Sequence, residues 1–201
     1  MNKEKGNALF LILIAVALFA ALSYAVTQSG RSGGGVDKEQ EIITAAQITD
    51  YFASLQSAAL RMTLRGTTFT NLDLGTTAGF GNIFDTPCTV GEDCLFSPDG
   101  GEAIWVEANT LVSSTVYIWS KSMTVKDLGS GSNDPFIMLG LGSANMNICQ
   151  QINKGLGLTY SPVNSDSLIF DSILDAYPGE QAACFNNGAG SLLYYHVLMA
   201  R

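Results

Sequence analysis

The stretch Asp37–Gly66, DKEQEIITAAQITDYFASLQSAALRMTLRG, decides the fold of this chain. Its apolar residues recur at steps of three and four, which places them on one face of a helix; they are Ile42, Ala45, Ile48, Phe52, Leu55, Ala59 and Met62. Asp37 is a good N-cap with Gln40 at capping-box spacing, and Gly66 is a natural stop after Arg65. The pattern predicts one long amphipathic helix that needs a second surface to cover its apolar face.

Two different segments precede this helix. Residues 28–36, QSGRSGGGV, contain three consecutive glycines, each of which costs a helix about 1 kcal/mol relative to alanine, so we expect a flexible linker there. Residues 8–26 are almost wholly apolar. At about 1.5 Å per residue they nearly span a hydrocarbon core of about 30 Å, and we therefore expect a transmembrane helix over residues 7–27. Lys3 and Lys5 favour a cytoplasmic N-terminus and export of the remainder.

Three fates of the apolar segment compete. An ordinary signal peptide would be cut after Ala25, because Ser23 and Ala25 supply the small residues that signal peptidase needs. A plain anchor would stay uncut. In the third, the charged leader ending in Gly6 is removed and the apolar helix is kept.

The lysine-rich leader, Gly6 and the apolar run together resemble the class III leader of type IV pilins and pseudopilins. This resemblance implies that a prepilin peptidase removes residues 1–6 on the cytoplasmic side, cutting between Gly6 and Asn7. Asn7 would become a methylated N-terminus, and the helix would first anchor the protein and later enter a filament core. Leu11 stands at the fifth mature position, where the family usually has a glutamate, which indicates an atypical minor subunit.

The chain beyond the linker, residues 37–201, is predicted to form one globular domain. An irregular loop is expected over 67–101, and a short helix over 143–154. Aromatic and β-branched runs predict strands, at 103–108, 114–120, 135–140, 167–170 and 191–201. The fold class is therefore α+β, and the order of elements resembles the pilin plan, in which the long helix packs on an antiparallel β-sheet.

Four cysteines in a chain with an export-like start predict disulfides formed in an oxidising compartment. Four cysteines allow three pairings. Chain order favours Cys88–Cys94 and Cys149–Cys184, and the second pair resembles the C-terminal disulfide of many pilins. A zinc site is the rival interpretation, but there is no CxxC pair, and the only histidine, His196, lies in an apolar run.

Charge and motif content exclude several function classes. With 10 Lys and Arg against 18 Asp and Glu, the net charge is −8, which disfavours binding to nucleic acid. There is no GxSxG motif, and the glycine pairs near 140–142 and 155–157 lack the rest of a phosphate loop. We therefore predict no enzymatic activity, no cofactor and no metal. One loop could bind calcium or be merely solvated; its acidic residues are Asp85, Glu92, Asp93, Asp99 and Glu102.

The first functional hypothesis is a minor pilin or pseudopilin-like subunit of a type IV pilus or type II secretion-like filament. Its partners would be other pilin subunits, the bacterial inner membrane and the prepilin peptidase, with a periplasmic domain that later reaches the pilus or cell surface. The alternative is an exported or membrane-anchored non-catalytic binding protein with an ordinary signal peptide or anchor.

Overall fold

The computed structural model describes most of the chain, in two compact units, Met1–Gln40 and Glu41–Arg201. The boundary between the two units falls inside the second helix. The described residues are 5–29, 33–74, 88, 90–112, 117–121, 124–130, 134–159, 162, 173–188 and 190–200.

Helices and strands are both present, which confirms the α+β class. The helices are α1 (Lys5–Ser29), α2 (Gly33–Arg65), α3 (Ala108–Leu111) and α4 (Met146–Gly155), with 3₁₀ turns at Gly91–Asp93 and Ser143–Asn145. The strands are β1 (Tyr117–Ser120), β2 (Thr124–Val125), β3 (Phe136–Gly140), β4 (Ile173–Leu174), β5 (Ala182–Asn186) and β6 (Leu192–Val197).

Helix α2 begins four residues earlier than its sequence predicts. It starts at Gly33, so Asp37 lies inside the helix and the prediction that Asp37 is its N-cap is wrong. Helical backbone also reaches Ser29 from the other side, so every described residue of the expected linker is helical, while residues 30–32 are outside the described residues. The reason is cooperativity: once a helix is nucleated, each added residue gains a hydrogen bond, and this gain outweighs the unfavourable propensity of the glycines.

The predicted end of α2 is confirmed. Gly66 follows Arg65 with φ +109°, a backbone conformation that favours glycine. The Gly66 N–H donates to Thr63 O at 3.0 Å, and the Thr67 N–H donates to Met62 O at 3.1 Å. This pair of bonds is a Schellman motif, which satisfies carbonyls that the helix end would otherwise leave open.

The buried face of α2 matches the predicted one at six of seven positions. The side chains from Ala45 to Met62 on this face are at most 4 % exposed, whereas Ile42 is 47 % exposed. Ala58 is also buried. The helix therefore packs along most of its length within the second unit, starting about one turn later than the apolar spacing indicates.

The face of α2 packs on a four-stranded antiparallel sheet with the strand order β1-β3-β6-β5, so this part of the predicted fold is confirmed. Strand β6 runs between β3 and β5, and His196 lies opposite Ile137 of β3 and Ala182 of β5. All six residues of β6 are buried, as its continuous apolar run predicts. Strands β2 and β4 form a separate parallel pair.

Alternate strand residues point to opposite faces of the sheet and fill two apolar clusters. The α2 cluster joins the helix to one face, through residues such as Trp119, Leu139 and Tyr194. The β2–β4 cluster lies on the other face, through residues such as Met138 and Tyr195. Both faces of the sheet are therefore covered by the chain itself.

The strand predictions succeed in part. Strands β1, β3 and β6 and helix α4 lie where they are predicted, within a few residues, while 167–170 lies outside the described residues. Strands β2, β4 and β5 are not anticipated. The strand predicted over 103–108 is wrong, because the side chains of two tyrosines take the place of a neighbouring strand. The Val106 N–H donates to the Tyr51 hydroxyl at 3.2 Å, and Val106 O accepts from the Tyr117 hydroxyl at 3.0 Å.

Candidate functional site

The most unusual surface of the described chain is the apolar side-chain surface of α1. Helix α1 has 25 residues, and its large apolar side chains from Phe10 to Val26 are between 40 % and 74 % exposed. No acidic residue lies in its first turn and no basic residue in its last. A helix that is apolar on every side is stable only where something apolar surrounds it, so this surface is the first candidate for a functional site.

The residues of the predicted leader cut lie in the first turns of this helix. Gly6 and Asn7 are both within α1, and Leu11, at the position where pilins usually carry a glutamate, is 60 % exposed. The processing of Gly6 and Asn7 remains a prediction.

Within the residues that the structure describes, no helix is both long enough and apolar enough to cross a membrane.

The predicted pairing of the C-terminal cysteines is confirmed. Cys149 of α4 and Cys184 of β5 form a fully buried disulfide with a Cα–Cα distance of 5.4 Å. One turn along α4, the buried side chain of Asn153 binds the same strand: its Oδ1 accepts from Cys184 N–H and its Nδ2 donates to Cys184 O, both at 2.8 Å. Asn153 Nδ2 also donates to the Tyr177 hydroxyl at 2.9 Å. A covalent bond and three hydrogen bonds thus fix α4 to its surroundings.

The second predicted disulfide, Cys88–Cys94, is also present, with a Cα–Cα distance of 5.9 Å. It closes a small loop whose backbone is tightly packed against Gly100 and Gly101. A Cβ at Gly100 would collide with the backbone oxygens of Cys94 and Gly91, so only glycine fits there. The four cysteines are thus engaged in disulfides, which removes the thiolates that a zinc site would require.

The acidic loop residues are only partly brought together. Glu92, Asp93 and Asp99 line a polar cavity of about 420 Å³ together with Arg65, whereas Asp85 lies outside the described residues. Glu102 instead faces Arg65, with 3.7 Å between Oε1 and Nη2. Among the described residues, no three of the His, Cys, Asp and Glu side chains form a group able to hold a metal ion.

The only histidine, His196, is buried in β6 and connects the sheet to α2. The Gln56 Nε2 donates to Val197 O at 3.2 Å, which turns Gln56 Oε1 toward His196 Nε2, also at 3.2 Å. Because an amide oxygen only accepts, His196 carries its proton on Nε2, and Nδ1 accepts from the Tyr194 hydroxyl at 2.9 Å. Burial lowers the pKa of His196 to about 4 and raises that of Tyr194.

The aromatic side chains of β1 and β6 are core residues. Tyr117, Trp119, Tyr194 and Tyr195 are at most 1 % exposed. Trp105 is partly buried and packs edge-on to Phe96, with ring centroids 5.3 Å apart.

Sequence reasoning missed the two amides that hold helices to the sheet. Gln56 follows four residues after Phe52, and Asn153 follows four residues after Cys149, so each shares a helix face with a fully buried residue. A polar amide at the edge of an apolar helix stripe is the signal that would have identified both.

The chain matches no described protein family, and neither a characterised protein nor a solved structure is significantly similar to it.

Proposed function

We propose that this chain is a minor pilin or pseudopilin-like subunit of a bacterial type IV pilus or type II secretion-like filament. The observation that carries this proposal is the exposed apolar surface of α1, joined in one chain to an α+β domain whose described sheet is covered on both faces. Such a pairing is suited to a protein that acts by association, because the helix needs a partner that the domain does not need.

The apolar helix would serve in two environments. In the inner membrane, residues 7–27 act as an anchor with the N-terminus in the cytoplasm. In the filament, the same surface packs among the helices of other subunits, which replaces lipid contacts with side-chain packing. Leu11 supports a minor position in the filament, since it cannot form the ion pair that a glutamate would form with a neighbouring subunit's N-terminus.

Maturation follows from the leader. A prepilin peptidase removes residues 1–6 by cutting after Gly6, and Asn7 becomes the methylated N-terminus. The domain is exported to the periplasm, where its four cysteines are oxidised, and this agrees with the two disulfides of the domain. The action of the protein is assembly and not catalysis.

The mature N-terminus is the decisive measurement, made by mass spectrometry on protein purified from its own host. A start at Asn7, with a methylated amine, supports the proposal. A start at Val26 means that signal peptidase has removed the helix, which overturns the proposal in favour of a released binding protein.

A pair of variants sharpens the test. Gly6→Val should leave unprocessed precursor in the membrane, whereas Ala25→Leu should mature normally, because it removes only the small residue that signal peptidase requires. Gly30→Ala, a glycine change outside the leader, is the matched control and should also mature normally. The opposite pattern, with maturation blocked only by Ala25→Leu, contradicts the leader assignment.

A further inference from the structure

The buried contact between Gln56, His196 and Tyr194 supplies the polar connection between α2 and the sheet. Within the described residues, the hydrogen bonds that join α2 side chains to a strand both involve Gln56. Other α2 side chains that bind outside the helix reach loops or α4: Arg61 donates to Gly101 O at 3.1 Å, and Glu41 accepts from Asn147 of α4. The polar attachment of the helix to the sheet thus depends on one glutamine and the imidazole it faces.

The geometry fits only a neutral imidazole. Nδ1 of His196 is the acceptor for the Tyr194 hydroxyl, so a proton on Nδ1 would face the hydroxyl proton. To accept instead, Tyr194 would have to turn its O–H away into the core, and within the described residues this fully buried hydroxyl makes no other hydrogen bond. Protonation would therefore leave a buried polar group unsatisfied, in addition to placing a charge in the core.

No charged group compensates for that proton among the described neighbours. The elements packed around His196 present apolar side chains toward it: Phe52 of α2, Ile137 of β3 and Ala182 of β5. The titratable groups around the contact are tyrosines, with Tyr194 in direct contact and Tyr51 and Tyr117 beside the Phe52 ring. Glu180, just before β5, is exposed, and the ion pairs found within the described part of the chain, Arg65–Glu102 and Lys121–Asp73, do not involve His196.

We infer that this contact is an acid-sensitive latch, which holds α2 on the sheet while His196 is neutral and releases the helix when His196 takes up a proton. The latch belongs to the domain alone and stands whether or not the chain assembles into a filament.

The direction of the pH effect follows from the two pKa values. Burial lowers the pKa of His196 from 6.5 to about 4 in the folded chain, so the unfolded chain binds the proton more tightly. The stabilisation is complete above pH 6.5 and is lost as the pH falls from 6.5 toward 4. Over that range the folding equilibrium should fall by up to about 300-fold, the factor that corresponds to this difference in pKa.

The test uses the full chain in detergent micelles. His196 is the chain's only histidine, so a single imidazole resonance reports its titration directly. Amide hydrogen exchange, corrected for the intrinsic rate at each pH, compares residues 48–62 of α2 with β3 and β6 between pH 7 and pH 4.5. We expect a titration midpoint near 4 and a loss of protection in α2 before the strands. A midpoint near 6.5 in the folded chain, or simultaneous loss in helix and strands, overturns the latch.

Two variants separate the latch from general acid unfolding. His196→Gln keeps a neutral donor toward Gln56 and should abolish most of the pH dependence between 7 and 4.5. Gln56→Glu places a carboxylate against Nε2 of His196 and should move the titration midpoint of the imidazole above pH 6.5. The protection of α2 amides from hydrogen exchange should then fall as the pH rises. Gln47→Glu, an exposed change on the same helix, is the control and should leave the profile unchanged. Persistence of the acid release in His196→Gln contradicts the inference, and if either variant fails to fold, the wild-type imidazole titration decides.

Discussion

The two long helices of this chain, α1 and α2, have opposite surfaces. In α2, the apolar side chains from Ala45 to Met62 are at most 4 % exposed, because they form a single stripe that the sheet covers. In α1, the large apolar side chains from Phe10 to Val26 all remain exposed, because apolar residues occupy every side of the helix. A stripe can be covered by one partner within the chain, whereas a helix that is apolar all round needs apolar surroundings on every side.

The difference teaches that a helix can be covered by a sheet only where polar residues confine its apolar side chains to one side. What distinguishes α1 from α2 is the placement of polar residues. Asp50, Ser54 and Ser57 separate the apolar positions of α2 and define its solvent side. The stretch from Phe10 to Leu22 contains no such residue.

The largest expected effect tests this difference directly. Phe52→Ala should lower the free energy of unfolding by about 3–5 kcal/mol, because Phe52 is fully buried against Tyr194 and Tyr117. Phe19→Ala removes the same atoms from a side chain that is 74 % exposed and should change the value by less than about 0.5 kcal/mol. Denaturant unfolding of the full chain in micelles, followed by the fluorescence of the buried Trp119, measures both. Equal losses in the two variants would abolish the distinction between a covered and an uncovered helix.

The next test removes the disulfide that joins α4 to β5, a strand of the sheet on which α2 packs. Replacing Cys149 and Cys184 together by alanine should cost about 4 kcal/mol, since the disulfide closes a loop with a sequence separation of 35. Removing Cys88 and Cys94, with a separation of 6, should cost about 2 kcal/mol. Thermal unfolding of the two oxidised variants shows which disulfide contributes more to stability. If removing Cys88–Cys94 costs more stability than removing Cys149–Cys184, then the packing of α2 depends on the 88–101 loop more than on α4.

A smaller effect is expected at the amide that binds β5. Asn153→Ala leaves Cys184 N–H and Cys184 O without their side-chain partner in the core, which should cost about 2 kcal/mol. Asn147→Ala is the matched control on the same helix, because its side chain is exposed and bonded only to Glu41 among the described residues. That control should lose less than about 0.5 kcal/mol. Urea unfolding midpoints compare the two, and a neutral Asn153→Ala would mean that water replaces the lost bonds.

The smallest effect concerns the end of the covered helix. Gly66→Ala forces a side chain into φ +109° and should destabilise the domain by about 1 kcal/mol. Gly155→Ala lies in the last helical position of α4, with open space at its Cβ, and should be neutral or slightly stabilising. Changes of opposite sign in the unfolding temperature, measured by calorimetry, support the Schellman motif as the end of α2. Changes of equal sign would show that α2 can continue past Arg65.

Much of the domain follows from local signals in the sequence. The buried stripe of α2, the stop at Gly66 and the continuous run of β6 each depend on residues that lie close together in the chain, so spacing predicts them. The pairing of cysteines by chain order also proved right for both disulfides.

The errors arise where distant side chains decide the structure. The 103–108 segment has strand-like residues, but Tyr51 and Tyr117, distant in sequence, supply the hydrogen bonds that a strand partner would have supplied. Strand β5, with the sequence AACFN, lacks β-branched residues and forms because it pairs with β6. Gln56 and Asn153 act across the core, and no local pattern names their partners.

The position of Asn153 has a consequence for how copies of this protein meet. Strand β5 is the outermost strand on one side of the described sheet, where an uncovered backbone would accept a strand from another molecule and seed aggregation. At Cys184 both backbone groups are already occupied by the Asn153 side chain. The edge is therefore blocked at its middle residue, which protects the described sheet there from pairing with a strand of another molecule.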